Sequence, residues 1–151
     1  MKPNPEYIKE LQMIVEKSPF PKHMSMRLTK MDMGLATIEL ALSSVHLQPF
    51  GLVHGGVIAT MIDTATFWAV YMNIPEDAGL VNVDLKLNYL RPVTKGKMKA
   101  EGRSIREGKT ICYSEARVYD DLGSLIAHGT STLLVLPGKG LKVKVRKFLP
   151  S

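Results

Sequence analysis

The segment GLVHGGVIATMIDTATFWAV, residues 51–70, constrains this chain more than any other. From Gly55 to about Met72 its pattern predicts a helix, ended by Asn73-Ile74-Pro75. Val57, Ile58, Met61, Ile62, Ala65, Phe67, Trp68, Ala69 and Val70 leave no wide polar stripe around it. A helix that is apolar on nearly every side must be covered on most of them. One antiparallel sheet curved around one central helix meets that demand.

The remaining sequence supplies such a sheet. Residues 4–17 read as a short amphipathic helix, with Ile8, Leu11 and Val15 at helical spacing and Ser18-Pro19 as its stop. A first strand is expected over about 24–33, broken by Gly34. LATIELAL, 35–42, is its hairpin partner, with Ala36, Ile38, Leu40 and Leu42 on one face. Residues 43–53 form a loop marked by Ser43-Ser44, Pro49 and Gly51. Four longer strands follow the helix, over 80–90, 95–107, 110–120 and 124–136. The first of them alternates, with Val81, Val83, Leu85, Leu87 and Tyr89 on one face and Asn82, Asp84, Lys86 and Asn88 on the other. Hairpin-sized gaps between the last strands argue for an antiparallel meander. The expectation is a single α+β domain with five or six antiparallel strands. Its parts are an N-terminal helix and loop (1–19), a core (20–136) and a basic tail (137–151).

Composition narrows the function classes. With 151 residues, 45% of them apolar and 23% charged, the chain can bury a sizeable core as an ordinary soluble domain. Cys112 is its single cysteine, which excludes an intrachain disulfide framework and a thiol metal cluster. His23, His46, His54 and His128 show no helical pairing with one another, so no metal is expected. The N-terminus lacks the apolar h-region of a secretory signal, and no run of about 18 apolar residues exists. A cytoplasmic protein without a membrane partner is expected. The net charge is +6, but residues 137–151 hold five basic residues and no acidic one, which leaves +1 for the rest. A basic tail can meet nucleic acid or anionic lipid. No nucleic-acid motif accompanies it, so a solvated terminus or a strand pinned on an oligomer is expected instead.

Asp63 sits in the middle of the apolar helix, where an unpaired carboxylate is costly. Structural readings remain open at this point: an exposed helix edge, pairing with His128 or Arg117, or a hydrogen bond to Thr60 or Thr66. The entrance to the helix adds a chemical reading. Gly55 and Gly56 stand where a helix start leaves backbone N–H groups unpaired, and glycine allows close approach. Such N–H groups can hold a carbonyl oxygen that becomes an oxyanion. His54 could act as a general base, but no Ser or Cys nucleophile is paired with it, which favours a hydrogen-bonded entry-loop residue. Gly55 and Asp63 are separated by about 12 Å along a helix axis. One carbonyl can touch both only if they come from two subunits, which implies a dimer with two symmetric sites.

The stretch HLQPFGLVHGGVIATMIDTATFWAV (46–70), followed by VNVDLKLNYLRPVTKGK (81–97), resembles the hotdog-fold thioesterases. The similarity is strongest to the PaaI-like branch, which also holds the 4-hydroxybenzoyl-CoA thioesterases. The resemblance spans about residues 20–136 and implies a hotdog fold that hydrolyses an acyl-CoA. Asp63 then matches the catalytic carboxylate, as nucleophile through a mixed anhydride or as general base. Gly55 matches the backbone donor to the thioester oxygen, and Gln48 an amide side chain near that oxygen. Asn82 falls where some relatives have a small polar residue that helps hold the nucleophilic water. The resemblance also implies a homodimer that builds the sites and pairs further into a tetramer. No cofactor is implied, since coenzyme A belongs to the substrate.

Coenzyme A carries phosphates, for which Arg91, Arg103, Arg106 and Lys109 are the candidate partners; an arginine fork suits phosphate. A solvated outer face is the equal alternative for each. Phe67, with Trp68 and Phe50, is a candidate for an adaptable acyl pocket; His54 and Gly56 complete the candidate binding residues. The acyl group stays open among phenylacetyl, hydroxybenzoyl and medium-chain fatty types. Charge raises one further idea for the tail, that it lies near the coenzyme A phosphates. Two other functions share the fold. A non-catalytic acyl-CoA-binding module would bind without turnover, and a hydratase or dehydratase would need an acid–base pair that could draw on His128.

Overall fold

The computed structural model describes residues 1–150. Its elements in chain order are α1 (Pro5–Lys17), α2 (Pro19–Met24), β1 (Met26–Asp32), β2 (Leu35–Ala41), α3 (Gly55–Tyr71), β3 (Gly79–Tyr89), β4 (Lys97–Glu107), β5 (Ile111–Tyr119) and β6 (Leu125–Leu136). A short 3-10 turn, Ser44–His46, lies between β2 and α3. Six strands make one antiparallel sheet in the order β1-β2-β4-β5-β6-β3. The sheet packs against the long helix α3, as its all-round apolar surface requires. Met61, Ile62, Ala65, Ala69 and Val70 have no exposed surface. Among the described residues no helix is long and apolar enough to cross a membrane.

Close approach of helix and sheet rests on two glycines. A methyl group at Gly102 of β4 would overlap the Ala65 carbonyl of α3, and one at Gly129 of β6 would stand 2.8 Å from the Ile62 side chain. Ala36, Ile38 and Leu40 of β2 are buried as their alternation predicts, with Leu42 partly buried beyond the strand.

Two expectations need correction. The meander holds for β4–β5–β6 only; β3 pairs with β6 at the far edge, while β4 inserts beside β2. The 90–96 link is a crossover rather than a hairpin, tied by the Val53 N–H donating to Val93 O. Second, the alternation of β3 is interrupted by a bulge between Asn82 and Asp84. Asn82 pairs with buried Leu133, and after the bulge Leu87 pairs with Gly129, so both face α3. The extra residue reverses the phase and leaves Val81 on the outer face. Ser18-Pro19 does end α1, at Lys17, and Pro19 also opens a second short helix, α2, a position that proline favours.

The termini pack together instead of trailing. Tyr7, Leu11 and Val15 of α1 are buried, and Ile8 packs against the core. The C-terminal segment forms a strap across α1 and the end of α3: Lys147 O accepts from Asn4 N–H, and Leu149 N–H donates to Lys2 O. Lys147 has no exposed surface. Its ammonium donates to Tyr71 O and, at 2.8 Å, to Ile74 O, and lies 4.5 Å from the centre of the Tyr71 ring. Tyr71 O ends α3 and Ile74 O lies in the turn just after it, a place where a cation is favoured. Lys147 is therefore a helix cap, unavailable to a substrate phosphate.

Candidate active site

The loop before α3 is rigidly built. His46 is buried; its Nδ1 accepts the Ser43 N–H at 3.0 Å, which leaves Nε2–H to donate to Met24 O at 2.9 Å. His46 O accepts the His54 N–H, so the two ends of the loop meet. Between them Gln48-Pro49-Phe50-Gly51 forms a tight turn, closed by Gly51 N–H donating to Gln48 O. Gly51 sits at φ +77°, the left-handed conformation glycine allows. The Gln48 side-chain oxygen accepts the Phe50 N–H. With its oxygen engaged, the Gln48 amide nitrogen is the free donor.

His54 is the N-cap of α3. Its Nδ1 accepts the Gly56 N–H at 2.8 Å, and its carbonyl accepts the Val57 N–H. This matches the entry-loop expectation and removes Gly56 N–H as a substrate donor. The Gly55 N–H has no partner among the described residues. A residue that the sequence reading left in the strand pattern, Tyr89, fixes this end: its hydroxyl donates to Gly55 O at 2.9 Å. A methyl group at Gly55 would stand 2.8 Å from that hydroxyl. Gln48, Gly55, Tyr89 and Arg91 line one cavity of about 350 Å³ at the helix entrance.

Asp63 lies two turns further along α3, half-buried. Burial pushes its carboxyl above the ordinary value. The structural partners proposed for it are all engaged elsewhere. Thr60 donates to Gly56 O; Thr66 donates to Ile62 O and to the Asp63 backbone O. His128 and Arg117 both bond to Glu115. Among the described residues the carboxylate has no hydrogen bond or ion pair. Only the exposed-edge reading survives in part: positions 55, 56, 59, 60, 63, 64 and 67 form the incompletely covered stripe of α3.

Asn82 is brought to Asp63 by the β3 bulge. Its amide donates to Asp63 O at 3.3 Å and to Ser131 Oγ at 3.4 Å. Ser131 in turn meets Thr66 Oγ1 at 2.8 Å, and Ser114 Oγ donates to Thr66 O at 3.0 Å. Thr66, Ser114 and Ser131 are wholly buried. This belt pins the turn of helix that carries Asp63 to β3, β5 and β6. Hydroxyls inside apolar strands carry no such signal in sequence.

The remaining candidates separate. Phe67, one turn after Asp63, is half-buried, stacks on Tyr71 and meets Trp68 edge-on. Arg91 stands at the entrance cavity. Arg103 follows Gly102, whose missing side chain would point at α3, so Arg103 faces away on the outer surface. Arg106 pairs with outward-facing Tyr113 beyond a second bulge, and Lys109 lies exposed in the β4–β5 turn. His128, on the outer face with Glu115, is not placed to serve chemistry at α3.

Known proteins give the same picture. The model of the thioesterase superfamily matches residues 50–127. The proofreading thioesterase EntH of Klebsiella pneumoniae is 32% identical over 101 residues, covering 67% of this chain and 74% of that protein. Among solved structures, thioesterase HI1161 of Haemophilus influenzae superposes with a TM-score of 0.83 at 22% identity, covering 95% of this chain and 99% of the other. The PaaI protein from the phenylacetic acid degradation operon of E. coli gives 0.80 at 18% identity, with coverages of 90% and 97%. An unpartnered helix N–H, an unpaired carboxylate on the same helix and these likenesses agree: the chain belongs to the thioesterase superfamily and is a thioester hydrolase with the hotdog fold.

Proposed function

We propose that the protein hydrolyses an aryl- or medium-chain acyl-CoA to the free acid and coenzyme A, in sites shared between two subunits. One observation carries the reading: α3 offers a free N–H at Gly55 and an unpartnered carboxylate at Asp63. They are about 12 Å apart along the axis, too far for one carbonyl. Two antiparallel α3 helices bring Gly55 of one subunit to Asp63 of the other. The sheet supports such a pairing. β3 is an eleven-residue edge strand beside α3, with Val81, Val83, Leu85 and Tyr89 exposed. A long apolar edge of this kind is a template for a partner.

In this site the Gly55 N–H and the Gln48 amide receive the thioester oxygen and stabilise it as charge develops. The partner subunit's Asp63 then acts in one of two ways. As nucleophile, its carboxylate oxygen bonds to the carbonyl carbon, the C–S bond breaks, and coenzyme A leaves as thiolate to be protonated by solvent. Water then cleaves the mixed anhydride. As general base, Asp63 takes a proton from a water held with Asn82, and that water attacks the carbon directly. Partial desolvation makes the carboxylate a stronger base and nucleophile in either route. Arg91, at the entrance cavity, is the cation placed to meet a coenzyme A phosphate of the same site. Arg103 and Arg106 lie on the outer face and Lys109 in an exposed turn, away from the entrance cavity.

The test is free-thiol release from a panel of acyl-CoAs, with wild type beside Asp63→Asn. A loss of about a hundredfold or more in the variant is expected, the order for removing an acid–base or nucleophilic group. Binding of acyl-CoA by both proteins without thiol release would make this chain a binding module instead.

A further inference from the structure

The C-terminal strap bounds a second cavity that no part of the reaction above uses. It measures about 240 Å³ and is lined chiefly by Val15 of α1, Phe67, Trp68 and Tyr71 of α3, Leu80 of β3 and Leu141 of the strap. Its lining begins one helical turn beyond Asp63, at Phe67. Phe67 follows Asp63 by one turn, about 6 Å along the helix, and Tyr71 by two turns, about 12 Å. On the strand side, Leu80 precedes Asn82 by two residues and shares its helix-facing side. A group extending from a carbonyl at Asp63 toward the C-terminal end of α3 therefore meets Phe67 and then this cavity.

The strap wall is built into the fold. Gly79 at the start of β3 has no room for a side chain because the Lys139 backbone lies against it. Gly140 N–H donates to Asp77 O at 2.8 Å, and a methyl group at Gly140 would meet the same peptide at 2.8 Å. Leu141 N–H donates to the Tyr71 hydroxyl, and Lys147 anchors the strap's far end under α3. Leu141 is 44% exposed, so it is a side wall at the cavity's outer rim.

We infer that this cavity receives the acyl end of the substrate, and that the C-terminal strap, through Leu141, sets which acyl groups fit. The inference rests on the thioesterase reading above and deepens it. An apolar cavity of about 150 Å³ holds benzene. A cavity of 240 Å³ lined by three aromatic rings accommodates a phenyl ring with a short tether, and a longer chain has to pass the rim at Leu141. The cavity therefore favours an acyl group of about that bulk over a longer one. The wall is supplied by α1 and the strap, both outside the residues 50–127 shared with the family model.

The experiment measures kcat/KM for acetyl-CoA, phenylacetyl-CoA and decanoyl-CoA with wild type, Leu141→Trp and Leu141→Ala. Acetyl is too short to reach past Phe67 and serves as the internal reference. In Leu141→Trp the phenylacetyl-to-acetyl ratio falls about tenfold or more, the scale on which small volume changes in an apolar pocket discriminate. In Leu141→Ala the decanoyl-to-phenylacetyl ratio rises by a similar factor. Should the bulky variant not fold, the alanine variant carries the test alone. Wild-type turnover with ratios unchanged within about twofold in the folded variants would overturn the inference and leave the thioesterase reading standing. Failure of wild type to release thiol from any of the three would overturn both.

Discussion

Lys147 makes a quantitative prediction about the strap. Its ammonium is held at α3 with Glu76 and Tyr71 as the ionisable neighbours; the Lys147 backbone N–H also donates to Glu76 Oε1 at 3.1 Å. Burial outweighs the attraction of Glu76 and lowers the lysine from 10.5 to about 8. The unfolded chain binds this proton more tightly than the fold does, so stability rises as pH rises between the two values. It is fully present above the unfolded value and lost as pH falls through about 8. Linkage over about pH 7 to about pH 9.5 gives about 2 kcal/mol for this one group. Stopping there limits the contribution of Tyr7, whose phenol is pushed upward by burial and which acts in the opposite sense at higher pH. The assay is urea unfolding of wild type and Lys147→Met across that range. The difference in unfolding free energy between the two should widen in favour of wild type by about 2 kcal/mol toward alkaline pH. Taking the difference cancels every group the two proteins share. A difference that stays flat would refute the burial of a charged lysine at the end of α3.

Asp63 has the opposite sign. Its raised carboxyl keeps its proton longer in the fold, so its contribution is fully present below the unfolded value and is lost as pH rises through the folded one. Asp63→Asn should therefore be more stable than wild type at neutral pH and not at acid pH, and the acid limb of wild-type kcat/KM should lie above the ordinary carboxylate range. Gly102→Ala places a methyl group against the Ala65 carbonyl and should cost about 1–3 kcal/mol or more by forcing α3 off the sheet, read by thermal unfolding.

Much of the architecture was legible because it depends on local pattern. An apolar run on all sides of a helix demands a wrapping sheet, and His-Gly-Gly marks where that helix begins. What was illegible depends on contacts remote in sequence. The apolar alternation of β3 runs unbroken through Val83, yet a bulge there turns Asn82 inward onto Asp63. The place of β3 beside β6 is settled by packing on α3, not by the length of the links. Five cations made the tail read as solvated, whereas Lys147 is drawn in by the carbonyls it caps. The partners of Thr60, Thr66, Arg117 and His128 decide that Asp63 is unpaired, and each is fixed only once the strands are in register. Tyr89 looked like one more apolar strand residue until its hydroxyl met Gly55 O.

In the proposed dimer one site takes its carboxylate from one subunit and its backbone donor from the other. Gly55→Pro removes the N–H at the first helical position, where proline is tolerated, and the flexible end of Tyr89 can move aside. Gly55→Pro and Asp63→Asn should each be inactive alone. Unfolding and refolding them together at equal concentration makes about half the dimers mixed, each with one intact site, by the two-fold symmetry of the pairing. Mixing should restore about a quarter of wild-type thiol release. No recovery, with mixed dimers demonstrated by mass, would contradict it, because no mixed dimer would then hold a complete site.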